Sequence, residues 1–191
     1  MAYIDTGVNQ PGIVELLFYK GASGEALSHL AHTILHGPST LSKGERELIA
    51  GYVSNLNNCE FCHLSHTAAA NAHLKDKGDT MKSILYNLNS APISDKMKSL
   101  LKIAAKVQIS GKEVKPDDIE YSKSQGASDE EIHDTVLIAA AFCMFNRYVD
   151  GLGTRKAKPE EYLEMGKRMS IRGYKYPPKF LRKFVIWMMD K

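Results

Sequence analysis

The hydrophobic and polar positions along the chain repeat with the spacing of α-helices, and no run alternates convincingly as a β-strand would. Glycine, proline and capping residues divide the sequence into segments of helical length. Two of these segments open with the Ser-x-x-Glu spacing of a capping box, at Ser42 and at Ser128. The pattern therefore predicts an all-α fold of eight to ten helices.

The predicted helices follow one another closely along the chain, with bounds set by the caps and breakers on either side. Asn57 or Asn58 is expected to cap the fourth helix. Residues 1–158 are predicted to form a single helical domain, and residues 159–191, rich in Lys, Arg, Tyr and Met, a C-terminal helical extension. The expected helices are Pro11–Lys20, Glu25–His36, Ser42–Ser54, Cys59–Lys77, Asp79–Leu88, Ser94–Ile109, Pro116–Gly126, Ser128–Asp150, Pro159–Met169 and Pro178–Met189.

Composition narrows the class of protein. The 191 residues are 43% hydrophobic and 25% charged, which is typical of a soluble globular domain. The net charge of +3 is scattered, so no nucleic-acid footprint stands out. The apolar runs are too short to span a bilayer, and no secretory signal is visible. Three cysteines are too few for a disulfide scaffold. These features predict a cytoplasmic protein that binds neither nucleic acid nor membrane.

The candidate chemistry lies in the sequence Cys59-Glu60-Phe61-Cys62, which is followed four residues later by His66. Glu47 precedes the first cysteine by twelve residues. In a cytoplasmic protein such a cysteine pair is more often catalytic or metal-binding than structural. A thiolate is the reactive form of cysteine, and a basic neighbour makes it available near neutral pH. The motif therefore predicts a dithiol redox protein, of a peroxidase type that acts on hydroperoxides.

Helical geometry places the three side chains of this motif together. On one helix Cys62 lies about 60° from Cys59 and His66 about 20° from it, so all three share a face. His66 follows Cys62 by one turn, and the helix N-terminus favours a thiolate. Glu47 comes from the preceding helix, and a turn at residues 55–58 would let the two helices pack side by side. Glu47 could then hold His66 in the tautomer that accepts a proton from Cys62.

Two alternative interpretations concern metals and oligomers. Zinc could be bound by Cys59, Cys62 and His66, with His63 or His73 nearby, but a second cysteine pair is missing. The chain could also be a redox-sensing or scaffold oligomer whose dithiol changes assembly without turning over peroxide. The i, i+3, i+7 spacing of three further histidines favours a helix surface or a subunit contact over a metal stripe. They are His29, His32 and His36.

Residues 41–70 resemble the alkylhydroperoxidase D / carboxymuconolactone decarboxylase superfamily, whose peroxidase signature is Glu-x11-Cys-x-x-Cys-x3-His. Residues 128–153, with Asn146-Arg147 and Asp150-Gly151-Leu152-Gly153, are similar to its peroxidase-related branch. The resemblance implies an all-helical fold and a dithiol that reduces alkyl hydroperoxides through an intramolecular disulfide. The decarboxylase branch typically lacks the dithiol, so the two cysteines argue against that reaction here.

The same resemblance implies a role for each motif residue. Cys62 would be the peroxidatic thiol, Cys59 its resolving partner, His66 the proton acceptor and Glu47 the orienting or relaying carboxylate. Well-studied members carry a further histidine at the position of Phe61, whose ring cannot relay protons. An apolar pocket for the peroxide, formed by Phe61, Tyr52 and Phe142, is expected.

The resemblance also implies partners. A homo-oligomer (dimer, trimer or hexamer) and an external thiol reductant of unknown identity are expected. The chemistry calls for no metal, haem, flavin or other cofactor.

Overall fold

The structure, a computed structural model, describes residues 2–189, which contain ten α-helices, three short 3-10 segments and no β-strand. The predicted all-α fold is therefore confirmed. The 3-10 segments are Leu88–Ser90, Gly111–Glu113 and Lys179–Leu181. The helices are α1 (Ile13–Tyr19), α2 (Gly21–His36), α3 (Lys43–Leu56), α4 (Glu60–Leu74), α5 (Asp79–Tyr86), α6 (Asp95–Ile109), α7 (Pro116–Ser124), α8 (Asp129–Gly151), α9 (Pro159–Arg172) and α10 (Arg182–Met189).

Local signals set most helix starts. Both predicted capping boxes form: Ser42 caps α3 with Glu45, and Ser128 caps α8 with Glu131. The start of α2 differs from the prediction, since the helix begins at Gly21 and runs through Gly24. A Cβ at Gly24 would lie 1.9 Å from the carbonyl oxygen of Leu17. This glycine therefore permits close packing of α1 on α2 instead of breaking the helix.

The helices enclose two hydrophobic clusters. The larger one, called the main core below, joins side chains of α2, α3, α6 and α8, among them Leu35, Ile49, Leu101 and Phe142. The smaller one, called the dithiol cluster, consists of Cys59, Phe61, Cys62, Val149, Tyr162 and Met165. Burial of apolar surface in the main core is the principal source of stability.

The C-terminal extension packs directly on the helix that carries the cysteines. Helix α9 lies against α4, and a Cβ at Gly166 would come within 2.6 Å of the backbone carbon of Ala68. Tyr162 and Met165 of α9 are buried in the dithiol cluster. The domain boundary predicted at residue 158 stays a prediction, but the segment beyond it supplies part of the dithiol cluster. Among the described residues, no helix is long and apolar enough to cross a membrane.

Candidate active site

The turn between α3 and α4 determines where the cysteines lie. Asn58 adopts a left-handed conformation, with φ of 58°, and the N–H of Cys59 then donates to the carbonyl of Ser54 at 3.0 Å. Cys59 itself is the N-cap of α4, and its carbonyl accepts from the N–H of His63 at 2.9 Å. The expectation that an asparagine caps this helix is therefore wrong. Cys62 lies in the first turn of α4.

Both cysteines are reduced and buried, and Cys62 is only 2% exposed. The hydrogen bond from Cys62 to Cys59, together with burial, raises the pKa of the Cys62 thiol well above its usual value. A hydrogen bond from Asn146 opposes this shift. The sequence favoured a thiolate because of the helix N-terminus, yet here the neighbouring sulfur and desolvation outweigh it. Cys62 therefore needs a base before it can act as a nucleophile.

Glu47 and His66 are in direct contact, as the sequence predicted. The Oε2 atom of Glu47 lies 2.7 Å from Nδ1 of His66, and the carboxylate is fully buried. This contact sets the tautomer in which Nδ1 carries the proton and Nε2 has a free lone pair. Nε2 lies on the opposite side of the ring from Glu47, so His66 can accept a proton there. The T-shaped contact of its ring with Phe142 fixes the imidazole further.

Tyr174 completes this arrangement, and sequence reasoning missed it. Its hydroxyl donates to Oε1 of Glu47 at 2.6 Å and lies 3.2 Å from Nδ1 of His66. Burial and the adjacent carboxylate hold the pKa of Tyr174 well above its usual value, so the phenol stays protonated. The abundance of tyrosine in the C-terminal extension was the only sequence signal, and it did not indicate which ring turns inwards.

A cavity of about 610 Å³ opens beside the dithiol. Cys62 and His66 both line it, and most of the other lining side chains are apolar. The expected pocket residues Phe61 and Phe142 are among them, whereas Tyr52 is buried in the main core. The C-terminal segment closes one side of the cavity with Tyr174, Tyr176, Pro177, Pro178, Val185 and Met188.

Asn146 is a further polar residue beside the dithiol, and it comes from the stretch of α8 that resembles the peroxidase-related branch. Its side chain is buried, donates to Oγ of Ser54 at 3.0 Å and accepts from Nδ2 of Asn57 at 2.8 Å. These bonds hold Asn146 beside Cys62. Arg147 is exposed and donates to the carbonyl of Cys143 in its own helix.

The sequence favoured a helix surface or a subunit contact for the three histidines of α2. The structure shows that they do not all lie at a surface. His36 turns towards Glu47, with Nε2 3.8 Å from Oε1, and its side chain is only 4% exposed. Burial lowers the pKa of His36 to about 4 against the opposing pull of Glu47, so this imidazole is neutral at pH 7. Nδ1 of His32 accepts from the N–H of Tyr174 at 3.2 Å. His29 is exposed.

Comparison with known proteins agrees with this fold. Residues 22–88, which contain Glu47, both dithiol cysteines and His66, match the sequence model of the carboxymuconolactone decarboxylase family. None of the curated proteins compared with the chain matches it significantly. The family match covers α2 to α5 and thus the whole predicted motif.

Two solved structures share the architecture. One is an uncharacterized peroxidase-related protein from Silicibacter sp. TM1040, with 27% identity and a TM-score of 0.72 over 80% of this chain and 78% of that one. The other is an alkylhydroperoxidase AhpD core, an uncharacterized peroxidase-related protein from Ralstonia eutropha JMP134, with 27% identity and a TM-score of 0.73 over 82% and 81%.

These matches confirm the resemblance drawn from the sequence. The protein has the fold of the alkylhydroperoxidase D / carboxymuconolactone decarboxylase superfamily and is similar to its peroxidase-related branch.

Proposed function

We propose that this protein is a thiol-dependent alkyl hydroperoxidase. The observation that carries the proposal is the shared cavity, since Cys62 and His66 line one mainly apolar space. Oε2 of Glu47 lies 2.7 Å from Nδ1 of His66 and orients the imidazole. An apolar space beside a thiol and a base suits a hydroperoxide with an organic substituent. The peroxidase-related neighbours support the same class of reaction.

The reaction proceeds in three steps. Nε2 of His66 accepts the Cys62 proton, and the thiolate attacks the distal oxygen of ROOH. The O–O bond breaks, the alkoxide takes this proton back from the His66 imidazolium and leaves as ROH, and Cys62 becomes a sulfenic acid. The Cys59 thiol then condenses with it, releasing water and forming a disulfide. An external dithiol reduces this disulfide by exchange and is itself oxidised.

The buried thiol explains why the Glu47–His66 pair would be needed. A raised pKa keeps Cys62 protonated in the resting protein, which protects it from unselective oxidation. Proton transfer to His66 generates the nucleophile inside the mainly apolar cavity. Glu47 and the Tyr174 hydroxyl stabilise the imidazolium that results.

The homo-oligomer is part of this proposal. Phe180 is 82% exposed, and Phe184 of α10 is exposed as well. Large exposed apolar side chains of this kind are typical of subunit contacts. The external thiol reductant would reach the disulfide from the open side of the cavity.

Peroxide consumption in a single turnover tests the proposal. Reduced, metal-free protein should consume about one equivalent of an alkyl hydroperoxide per dithiol and lose both free thiols. Cys62→Ser should consume none. Cys59→Ser should consume peroxide but accumulate a sulfenic acid that a dimedone-type probe traps. Absence of consumption by the wild-type protein with both thiols free would overturn the proposal.

A size measurement on the same samples tests the sensor alternative. If the dithiol changes assembly and does not turn over peroxide, oxidation should change the molecular mass in solution without peroxide loss. The peroxidase proposal expects peroxide loss without a change in molecular mass.

A further inference from the structure

Three helices bring a second polar cluster together beside Glu47. His36 comes from the end of α2, Glu47 from α3 and His73 from the last turn of α4. One ligand atom of each residue lies within 4.8 Å of the other two. Across residues 2–189, no other group of three His, Cys, Asp or Glu residues meets this closely. The cysteine-based set considered from the sequence does not form such a group.

The two histidines of this cluster lack the partners that buried polar atoms normally have. Nε2 of His36 and Nε2 of His73 are both buried and make no hydrogen bond. The His36 side chain is 96% buried, and its Nε2 faces Oε1 of Glu47 at 3.8 Å, beyond hydrogen-bond distance. Buried polar atoms are almost always satisfied, so two orphans around one carboxylate point to a missing partner.

We propose that His36, Glu47 and His73 bind a divalent transition-metal ion of the zinc class. Two imidazoles and one carboxylate are an established ligand set for such ions, with the fourth position open to water. Ligand atoms about 2 Å from a tetrahedral ion lie about 3.3 Å apart. The ligand atoms, which lie within 4.8 Å of one another here, would therefore need to approach by on the order of 1 Å. Rotation of the side chains can supply such a shift.

Glu47 links this site to the dithiol. Its Oε2 atom is engaged by His66, while Oε1 faces both the Tyr174 hydroxyl and His36. An ion on Oε1 competes with Tyr174 and draws charge away from His66. A tuning effect on the dithiol would rest on the proposed function, whereas the metal site itself does not.

Metal binding by the full-length protein tests the proposal without any peroxide. Reduced protein is titrated with Zn²⁺ by calorimetry and with Co²⁺ by its visible absorption. X-ray absorption of the zinc-loaded wild-type protein then identifies the ligand atoms. We expect about one ion per chain, bound by nitrogen and oxygen without sulfur. The Cys59→Ser/Cys62→Ser double variant should bind the same ion with unchanged affinity.

Matched histidine variants locate the site. His36→Gln and His73→Gln should each weaken binding by at least about tenfold, while His29→Gln, on the exposed side of α2, should not. Sulfur in the ligand shell, or no saturable binding, would overturn the proposal. So would equal affinity in all three histidine variants. The absorption experiment uses the wild-type protein, so a variant that fails to fold does not remove the test.

Discussion

The main core and the dithiol cluster differ in what they bury and in how they gain stability. The main core is built almost entirely from aliphatic and aromatic side chains of α2, α3, α6 and α8. The dithiol cluster buries two thiols, and Asn146, Glu47 and His66 lie beside it, held by specific hydrogen bonds. Burial in the main core is non-directional and tolerates repacking, whereas the second region depends on individual contacts. Stability and chemistry are therefore largely separated in this fold.

Truncating the main core should have the largest effect. Leu101→Ala in α6 removes a fully buried side chain and should lower the free energy of unfolding by about 2–5 kcal/mol. Urea unfolding measures this loss. The folded fraction should still consume about one peroxide per dithiol. A folded variant with no peroxide consumption would show that the two regions are not separate.

Removing the carboxylate of Glu47 should reduce the reaction rate more than the stability. Glu47→Gln removes the negative charge that stabilises the His66 imidazolium and leaves one acceptor oxygen for two donors, His66 and Tyr174, so the rate of sulfenic acid formation should fall about 100-fold. Stopped-flow measurement with excess peroxide gives this rate. Glu45→Gln is the matched control on the same helix, since Glu45 belongs to the capping box at the start of α3. An equal fall in both variants would contradict the assigned role.

The buried His36 predicts a pH-dependent stability. Its folded pKa of about 4 lies below the usual value of 6.5, so the unfolded chain binds the proton more tightly. Stability is fully present above about pH 6.5 and is lost as the pH falls towards 4. The wild type should lose about 2 kcal/mol more than His36→Gln between about pH 7 and pH 5.

Denaturant unfolding at several pH values measures this difference. His29→Gln is the matched control, because that side chain is exposed and should follow the wild type. Parallel pH profiles for the wild type and His36→Gln would show that His36 is not the group responsible.

The smallest effect is expected for the tyrosine hydroxyl. Tyr174→Phe removes the hydrogen bond to Glu47 and should cost about 1 kcal/mol of stability, with a several-fold slower reaction of Cys62. Tyr176→Phe removes a similar bond, to the carbonyl of Leu17 at 2.8 Å, away from His66. It should cost similar stability and slow the reaction less than Tyr174→Phe does, because Tyr176 lines the cavity but its hydroxyl does not bind Glu47. Unfolding curves and stopped-flow rates distinguish the two variants.

Local patterns in the sequence were sufficient for much of the fold and part of the site. Capping boxes at Ser42 and Ser128 act within four residues, so they can be recognised before any packing is known. The pairing of Glu47 with His66 followed from two adjacent helices and a short turn. Roles assigned to the two cysteines stay predictions, since geometry alone does not test them.

Tertiary structure alone decided the protonation of Cys62 and the surroundings of Glu47. The pKa of a thiol depends on desolvation and neighbouring atoms, and only packing makes those known. Tyr174 reaches Glu47 across 127 residues of sequence, and His36 and His73 meet the same carboxylate from two other helices. Helical periodicity reports which face of a helix is apolar, because that is a local property. It does not report which distant helix covers that face, since long-range packing selects the partner.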